Sequence, residues 1–263
     1  MRCKGSIILM VYLLAVLCAS LSWAQAEDVE QNSQLIWMRE IAVKPSMASE
    51  YVEAMKDYIA LCKEQNYPFP FSVWGDGNFN YFYVYPVDDY QGPMTIYDAS
   101  GEMFKKWGEE KVQNYEKAMR TSISSYKDYF VEYLPEYSYV PKNPRLKDED
   151  MNYAIWDIAY IPMDKEAEYL KLAKEGVSLM KNKNLAESAL FYTGRLGTKR
   201  PFFFSLGFGK DAADFWAANA KMWEQLGEEG GELYQKFMKL ITKREFKQFW
   251  QIKSLSFIPE TEQ

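Results

Sequence analysis

The chain has 263 residues, with 37 acidic and 31 basic side chains, a net charge of −6 and no histidine. An acidic chain without a basic stripe is a poor match for a nucleic-acid backbone, so no nucleic-acid partner is expected. The missing imidazole excludes histidine triads, proximal-histidine haem and histidine-ligated zinc, and leaves acid–base work to carboxylates, Lys, Tyr or water held by Arg.

Residues 1–26 read as a signal peptide. Arg2 and Lys4 form the basic start, Ser6 to Leu17 the apolar run, and Ala24-Gln25-Ala26 the small residues of a cleavage site. The run is short for a membrane span. Leu17 is bulky for a lipidation signal at Cys18, so no membrane anchor is expected after cleavage. Loss of Arg2 and Lys4 takes the net charge to −8 and leaves Cys62 as the lone cysteine. Stability then rests on a packed core, not on an intramolecular disulfide. The expectation is a periplasmic or secreted protein, monomeric or weakly homodimeric.

Residues 27–34 are polar and read as a mobile leader. Leu35 to Val43, rich in Ile, Val and Trp and ending before Pro45, predicts a strand. Tyr51, Met55, Tyr58, Ile59 and Cys62 follow at helical spacing. Phe69 to Trp74 and Tyr81 to Tyr85 flank Gly75-Asp76-Gly77-Asn78, a hairpin signal. A short helical piece, a longer helix opened by Gly108-Glu109-Glu110, and a strand from Val131 to Val140 complete the unit. Residues 142–152 read as a linker.

The same order then recurs. Tyr153 to Ile161 is the next strand, and Tyr169, Ala173, Gly176, Val177 and Met180 the next helical stripe. Ala189 to Tyr192 and Phe202 to Ser205 form a hairpin, and Trp250 to Ile258 the last strand. Gly227-Glu228-Glu229 with Tyr234, Lys236 and Met238 repeats Gly108-Glu109-Glu110 with Tyr115, Lys117 and Met119. Tyr137-Ser-Tyr-Val-Pro141 is likewise matched by Leu255-Ser-Phe-Ile-Pro259. The chain is one β-α-β-β-α-β unit written twice, over 35–141 and 153–259.

Each unit has the size and order of a ferredoxin-like module, an α+β sheet with helices on one face and the other face bare. The duplicated pattern resembles the dimeric α+β barrel superfamily, with its antibiotic-biosynthesis-monooxygenase-like and NIPSNAP-like branches. The resemblance implies two ferredoxin-like repeats fused into an intramolecular pseudo-dimeric barrel. It carries no branch-specific catalytic motif.

The duplicated Gly-Glu-Glu reads as structure: a glycine ends one helix in a left-handed conformation, and two glutamates complement the dipole of the next. Aligning Pro45 with Pro162 sets Glu40 opposite Asp157, each a carboxylate among apolar neighbours on a first strand. Such a group is costly unless paired and could serve as a base or hold a polar ligand group. The competing reading is an ion pair, with Lys253 or Arg195 as partner. Tyr81, Tyr83 and Tyr85 share one strand face and either line a cavity or fill the space beneath a helix. Copy two carries Phe in place of this ladder, which suggests a single working pocket.

The ligand-site candidates are therefore Glu40, Asp157, Tyr81, Tyr83, Tyr85 and Lys253. No catalytic residue, cofactor or metal ligand is assigned. The leading reading is an exported protein that binds a small, partly apolar molecule. The alternatives are a cofactor-free oxygenase or isomerase, as the resemblance implies, and a structural interaction module.

Overall fold

A computed structural model describes residues 33–259. The expected signal peptide and residues 27–32 of the expected leader lie outside the described residues. Among the described residues there are eight strands: β1 Gln34–Val43, β2 Ser72–Gly75, β3 Asn80–Val87, β4 Ile123–Tyr133, β5 Tyr153–Tyr160, β6 Leu190–Gly194, β7 Phe202–Gly209 and β8 Lys243–Gln251. The helices are α1 Ala48–Glu64, α2 Gly92–Trp107, α3 Glu109–Ser122, α4 Glu166–Asn182 and α5 Ala212–Leu240. The fold is α+β, and the strands close into an antiparallel barrel in the order β1-β3-β2-β8-β5-β7-β6-β4. Going round the closed ring, β4, β1, β3 and β2 belong to the first repeat and β8, β5, β7 and β6 to the second.

The chain divides into two compact units. One contains Ile36–Asp128 and the chain from Gln251 onward, the other Tyr129–Trp250. The divisions fall within β4 and at the end of β8.

In the first unit the β2–β3 hairpin pairs Ser72 with Val84 and Gly75 with Tyr81. Its turn is held by Asp76, whose carboxylate accepts from the backbone N–H of Asn78 at 2.7 Å and the Asn80 side chain at 2.8 Å. Helix α1 buries Tyr51, Met55, Tyr58, Ile59 and Cys62, the stripe set by its spacing. In the second unit β5 lies between β7 and β8, pairing Asp157 with Ser205 on one side and with Phe246 on the other. Ala159, Tyr169, Ala173, Phe191 and Phe203 form the core between that sheet and α4.

Several element boundaries differ from the sequence reading. The last strand of each unit starts earlier than expected, at Ile123 directly after the preceding helix and at Lys243 after two intervening residues. It ends where Pro135 or Ile252 leads into a 3-10 turn, so the expected 131–140 and 250–258 are only partly strand. In the first unit α2, at 16 residues, is longer than the 14-residue α3, not the short piece expected.

The junction glycines have positive φ, +96° at Gly108 and +59° at Gly227, but extended ψ of 139° and −147°. This is the glycine-only region and not the left-handed helical one. It separates α2 from α3 and kinks α5.

Candidate functional site

Two pairs of matched hydrogen bonds fix how the repeats correspond. Ser124 Oγ donates to the Ala42 carbonyl at 2.9 Å, and Thr242 Oγ1 to the Tyr160 carbonyl at 3.0 Å. The Val43 N–H donates to the Phe79 carbonyl, and the Ile161 N–H to that of Pro201. Counting along the strands from these anchors, Trp37 corresponds to Ile155, Arg39 to Asp157, Tyr81 to Phe203, Tyr83 to Ser205 and Tyr85 to Gly207. The proline alignment was one residue out of step. Asp157 is matched by Arg39, not by Glu40.

In the first repeat these positions are filled by rings. Tyr85 stacks on Trp37 with ring centroids 4.8 Å apart, and Tyr81 packs on Tyr51 at the same separation. The Tyr83 and Tyr51 hydroxyls are 2.6 Å apart. Burial drives the Tyr83 and Tyr85 phenols well above the ordinary tyrosine value. Arg39 lies over Trp37, forms a two-pronged ion pair with Asp128 at 2.8 Å, and meets the Tyr97 hydroxyl.

The second repeat replaces most of those rings with smaller groups. Ser205 stands for Tyr83, Gly207 for Tyr85 and Ile155 for Trp37. Gly176 and Ala173 on α4 stand for Tyr58 and Met55 on α1. A cleft opens in their place. Its outer part, about 550 Å³, is lined by Ile155, Asp157, Ser205, Gly207 and helix α5 residues including Trp216 and Trp223. Its inner part, about 240 Å³, shares Asp157, Ser205 and Arg244 and reaches Tyr169, Ala173 and Gly176. Trp216, Trp223 and Phe246 are exposed at the rim.

The polar centre of the cleft is an ion pair. Arg244 Nε donates to Asp157 Oδ1 at 2.7 Å and Nη2 to Oδ2 at 2.5 Å, while Nη1 donates to the Tyr234 hydroxyl at 2.6 Å. The guanidinium also covers the Phe246 ring at 4.3 Å. Acid and base have exchanged strands relative to the Arg39–Asp128 pair of the first repeat. The cleft's charge is thereby neutralised, and both carboxylate oxygens are engaged.

The start of α5 is fixed independently. The Asp211 side chain caps it by accepting from the Asp214 N–H at 2.8 Å. Arg145 ties Asp214 at 2.7 Å to Glu187 at 2.6 Å. The expected linker thus supplies a brace for the cleft's wall.

Of the six ligand-site candidates, only Asp157 lines the cleft. Its partner is Arg244, not Lys253 or Arg195; Arg195 pairs with Glu132. Lys253 is exposed on the closing 3-10 turn, and Glu40 is half-buried on β1 outside the cleft lining. Tyr81, Tyr83 and Tyr85 are buried packing in the first unit, the filling alternative weighed for them. The described cleft lies in the copy without the tyrosine ladder. Arg244, Ser205 and Tyr169 were missed. Tyr169 was read only as part of a core stripe, and Arg244 sits in a charged run at the α5–β8 junction. Among the described residues no group of three or more His, Cys, Asp or Glu side chains could hold a metal ion, and no helix is long and apolar enough to cross a membrane.

Among solved structures the chain is similar to a candidate monooxygenase from Lactobacillus acidophilus NCFM, with 6% identity, a TM-score of 0.52, and coverage of 84% of this chain and 94% of that one. A candidate monooxygenase from Fusobacterium nucleatum subsp. nucleatum gives 11% identity and a TM-score of 0.51, over 83% and 92% of the two chains. An anthrone oxidase-like protein gives 10% identity and 0.53, over 84% and 92%. The fold is that of the dimeric α+β barrel proteins. At these identities the likeness concerns architecture. No protein-family model matches the sequence, and no curated protein matches it.

Proposed function

We propose that the second repeat binds a small, partly apolar molecule in the cleft between its sheet and helices α4 and α5. The observation that carries this reading is the cleft itself, about 550 Å³ in its outer part, within the range of small-molecule sites. Its walls are aromatic, and a neutralised Asp157–Arg244 pair stands at its centre. Apolar walls supply the binding energy and a few placed polar groups the orientation. Titration with the uncharged dye Nile red tests it. One saturable site is expected, weakened at least tenfold by W223A. Absence of saturable binding would sink the proposal.

A cofactor-free oxygenase is the second reading, favoured by the α+β barrel architecture shared with proteins called monooxygenases and anthrone oxidase-like. Against it stands the bidentate ion pair with Arg244, which stabilises the ionised carboxylate of Asp157 and makes it a weaker base than an unpaired one. Oxygen consumption in the presence of anthrone separates the two. Turnover above the uncatalysed rate, lost in R244M, would favour the enzyme. We also propose export, on the strength of the Arg2, Lys4 and Ala24-Gln25-Ala26 pattern. Mass analysis of protein from its source is expected to find a chain beginning near Glu27. A chain retaining residues 1–26 would overturn this.

A further inference from the structure

The first repeat contains a template for what the cleft of the second would hold. Tyr51 on α1 and Tyr169 on α4 occupy the same helical position, each one turn before Met55 or Ala173 and facing the sheet. Tyr51 is satisfied by the Tyr83 hydroxyl at 2.6 Å. Tyr169 is buried, packed between Phe203 at 5.3 Å and Phe237 at 5.0 Å. Its counterpart to Tyr83 is Ser205, which is too short to repeat that contact. Among the described residues the Tyr169 hydroxyl has no hydrogen-bond partner, and Tyr169 and Ser205 both line the inner cleft. The hydroxyl opens on the cleft without a protein partner, so a ligand hydroxyl placed there would repeat the contact that Tyr83 makes with Tyr51.

The volume vacated has the same character. The rings absent from the second repeat are those of Tyr58, Tyr83, Tyr85 and Trp37, and the surrounding walls remain aromatic. Flat rings fill a slot between β-sheet and helix with large contact area and little entropy loss, as Tyr83 and Tyr85 do in the first repeat.

We infer that Tyr169 anchors the ligand, and that the ligand presents an aromatic hydroxyl to it as Tyr83 presents one to Tyr51. This deepens the small-molecule reading and rests on it. The hydroxyl-bearing edge lies at Tyr169 and Ser205, and the rest of the ring system extends over Gly207 towards Trp223. The Asp157–Arg244 pair, neutral as a unit, favours an uncharged phenol over an anion.

Calorimetric titration with 2-naphthol, 2-methoxynaphthalene and decahydro-2-naphthol tests the inference. These probes share a skeleton but lack, in turn, the donor hydroxyl and the aromatic rings. 2-Naphthol is expected to bind at least tenfold more tightly than either of the others. Y169F should erase its advantage over the methyl ether, and S205Y, which restores the first repeat's filling residue, should abolish binding of all three. Y169F leaves the volume almost unchanged and decides the matter even if S205Y folds poorly. Equal binding of the saturated alcohol, or an undiminished preference for 2-naphthol in Y169F, would overturn the inference and leave the cleft a ligand site. Binding of none of the three would overturn both.

Discussion

The hydroxyls of Tyr51 and Tyr83, 2.6 Å apart beneath α1, satisfy each other inside the first repeat. Both residues are almost wholly buried. Removing one hydroxyl leaves the other without a partner in an apolar setting, at a cost of about 1–3 kcal/mol. Y83F should therefore lower stability by roughly that amount in urea unfolding. It should leave binding in the second repeat unchanged. An unaltered unfolding midpoint would show that the contact contributes nothing.

Two glycines of α5 should respond in opposite directions. Gly227 has φ +59° and ψ −147°, which a side chain tolerates poorly, so G227A should cost about 1–3 kcal/mol although a Cβ there meets nothing within 4 Å. Gly231 has the same open surroundings without a positive φ inside the helix. G231A should stabilise by about 0.5–1 kcal/mol through the entropy of the unfolded chain. Thermal unfolding of the two variants should move Tm down and up respectively.

The two carboxylates that stand out in the sequence should separate cleanly. D157N strips the charge from the partner of Arg244, whose side chain is 23% exposed, and should cost about 2 kcal/mol. The Glu40 side chain makes no hydrogen bond or ion pair among the described residues, so E40Q should change stability by less than about 0.5 kcal/mol. Chemical denaturation of both variants checks this, and a large loss in E40Q would reveal a partner for that carboxylate.

Alkaline pH should weaken the first repeat. Burial pushes the Cys62 thiol up to about 12 and holds the Tyr83 and Tyr85 phenols well above their usual range. Each group is neutral when folded and ionises more readily when unfolded. Their stabilising contribution is complete below the ordinary thiol and phenol values, about 8.5 and 10. It falls as pH rises beyond them towards the folded-state values. Folded protein should resist iodoacetamide at pH 8.5 and react once unfolded in urea. Rapid alkylation of the folded chain would contradict the buried thiol.

The fold was legible because the signals were periodic and repeated. The α1 stripe from Tyr51 to Cys62 and the Asp76-Gly77 turn each depend on residues close in sequence. The cleft was not legible because it arises from what the second copy lacks. Ser205, Gly207 and Gly176 are unremarkable until matched to Tyr83, Tyr85 and Tyr58, and that match needs the strand register. A one-residue slip turns a strand residue to the opposite face. Matching the prolines Pro45 and Pro162 instead of the hydrogen bonds produces such a slip and sets Glu40, not Arg39, against Asp157. The pairing of Asp157 with Arg244 joins residues 87 apart in sequence, beyond any local pattern.

The distribution of indoles gives the chain a built-in optical reporter. Trp37 is 2% exposed, stacked on Tyr85 and covered by Arg39, so its emission should be blue-shifted and insensitive to added solutes. Trp216 and Trp223 stand 47% and 39% exposed where the cleft opens. Excitation at the red edge of the indole band selects solvent-facing rings of this kind. Iodide should quench them, with the exposed Trp250 outside the cleft, before the buried ring, and a molecule seated in the cleft should shield Trp216 and Trp223 alone. Occupancy of the second repeat can thus be followed in the unlabelled protein, with the buried indole of the first as an internal standard.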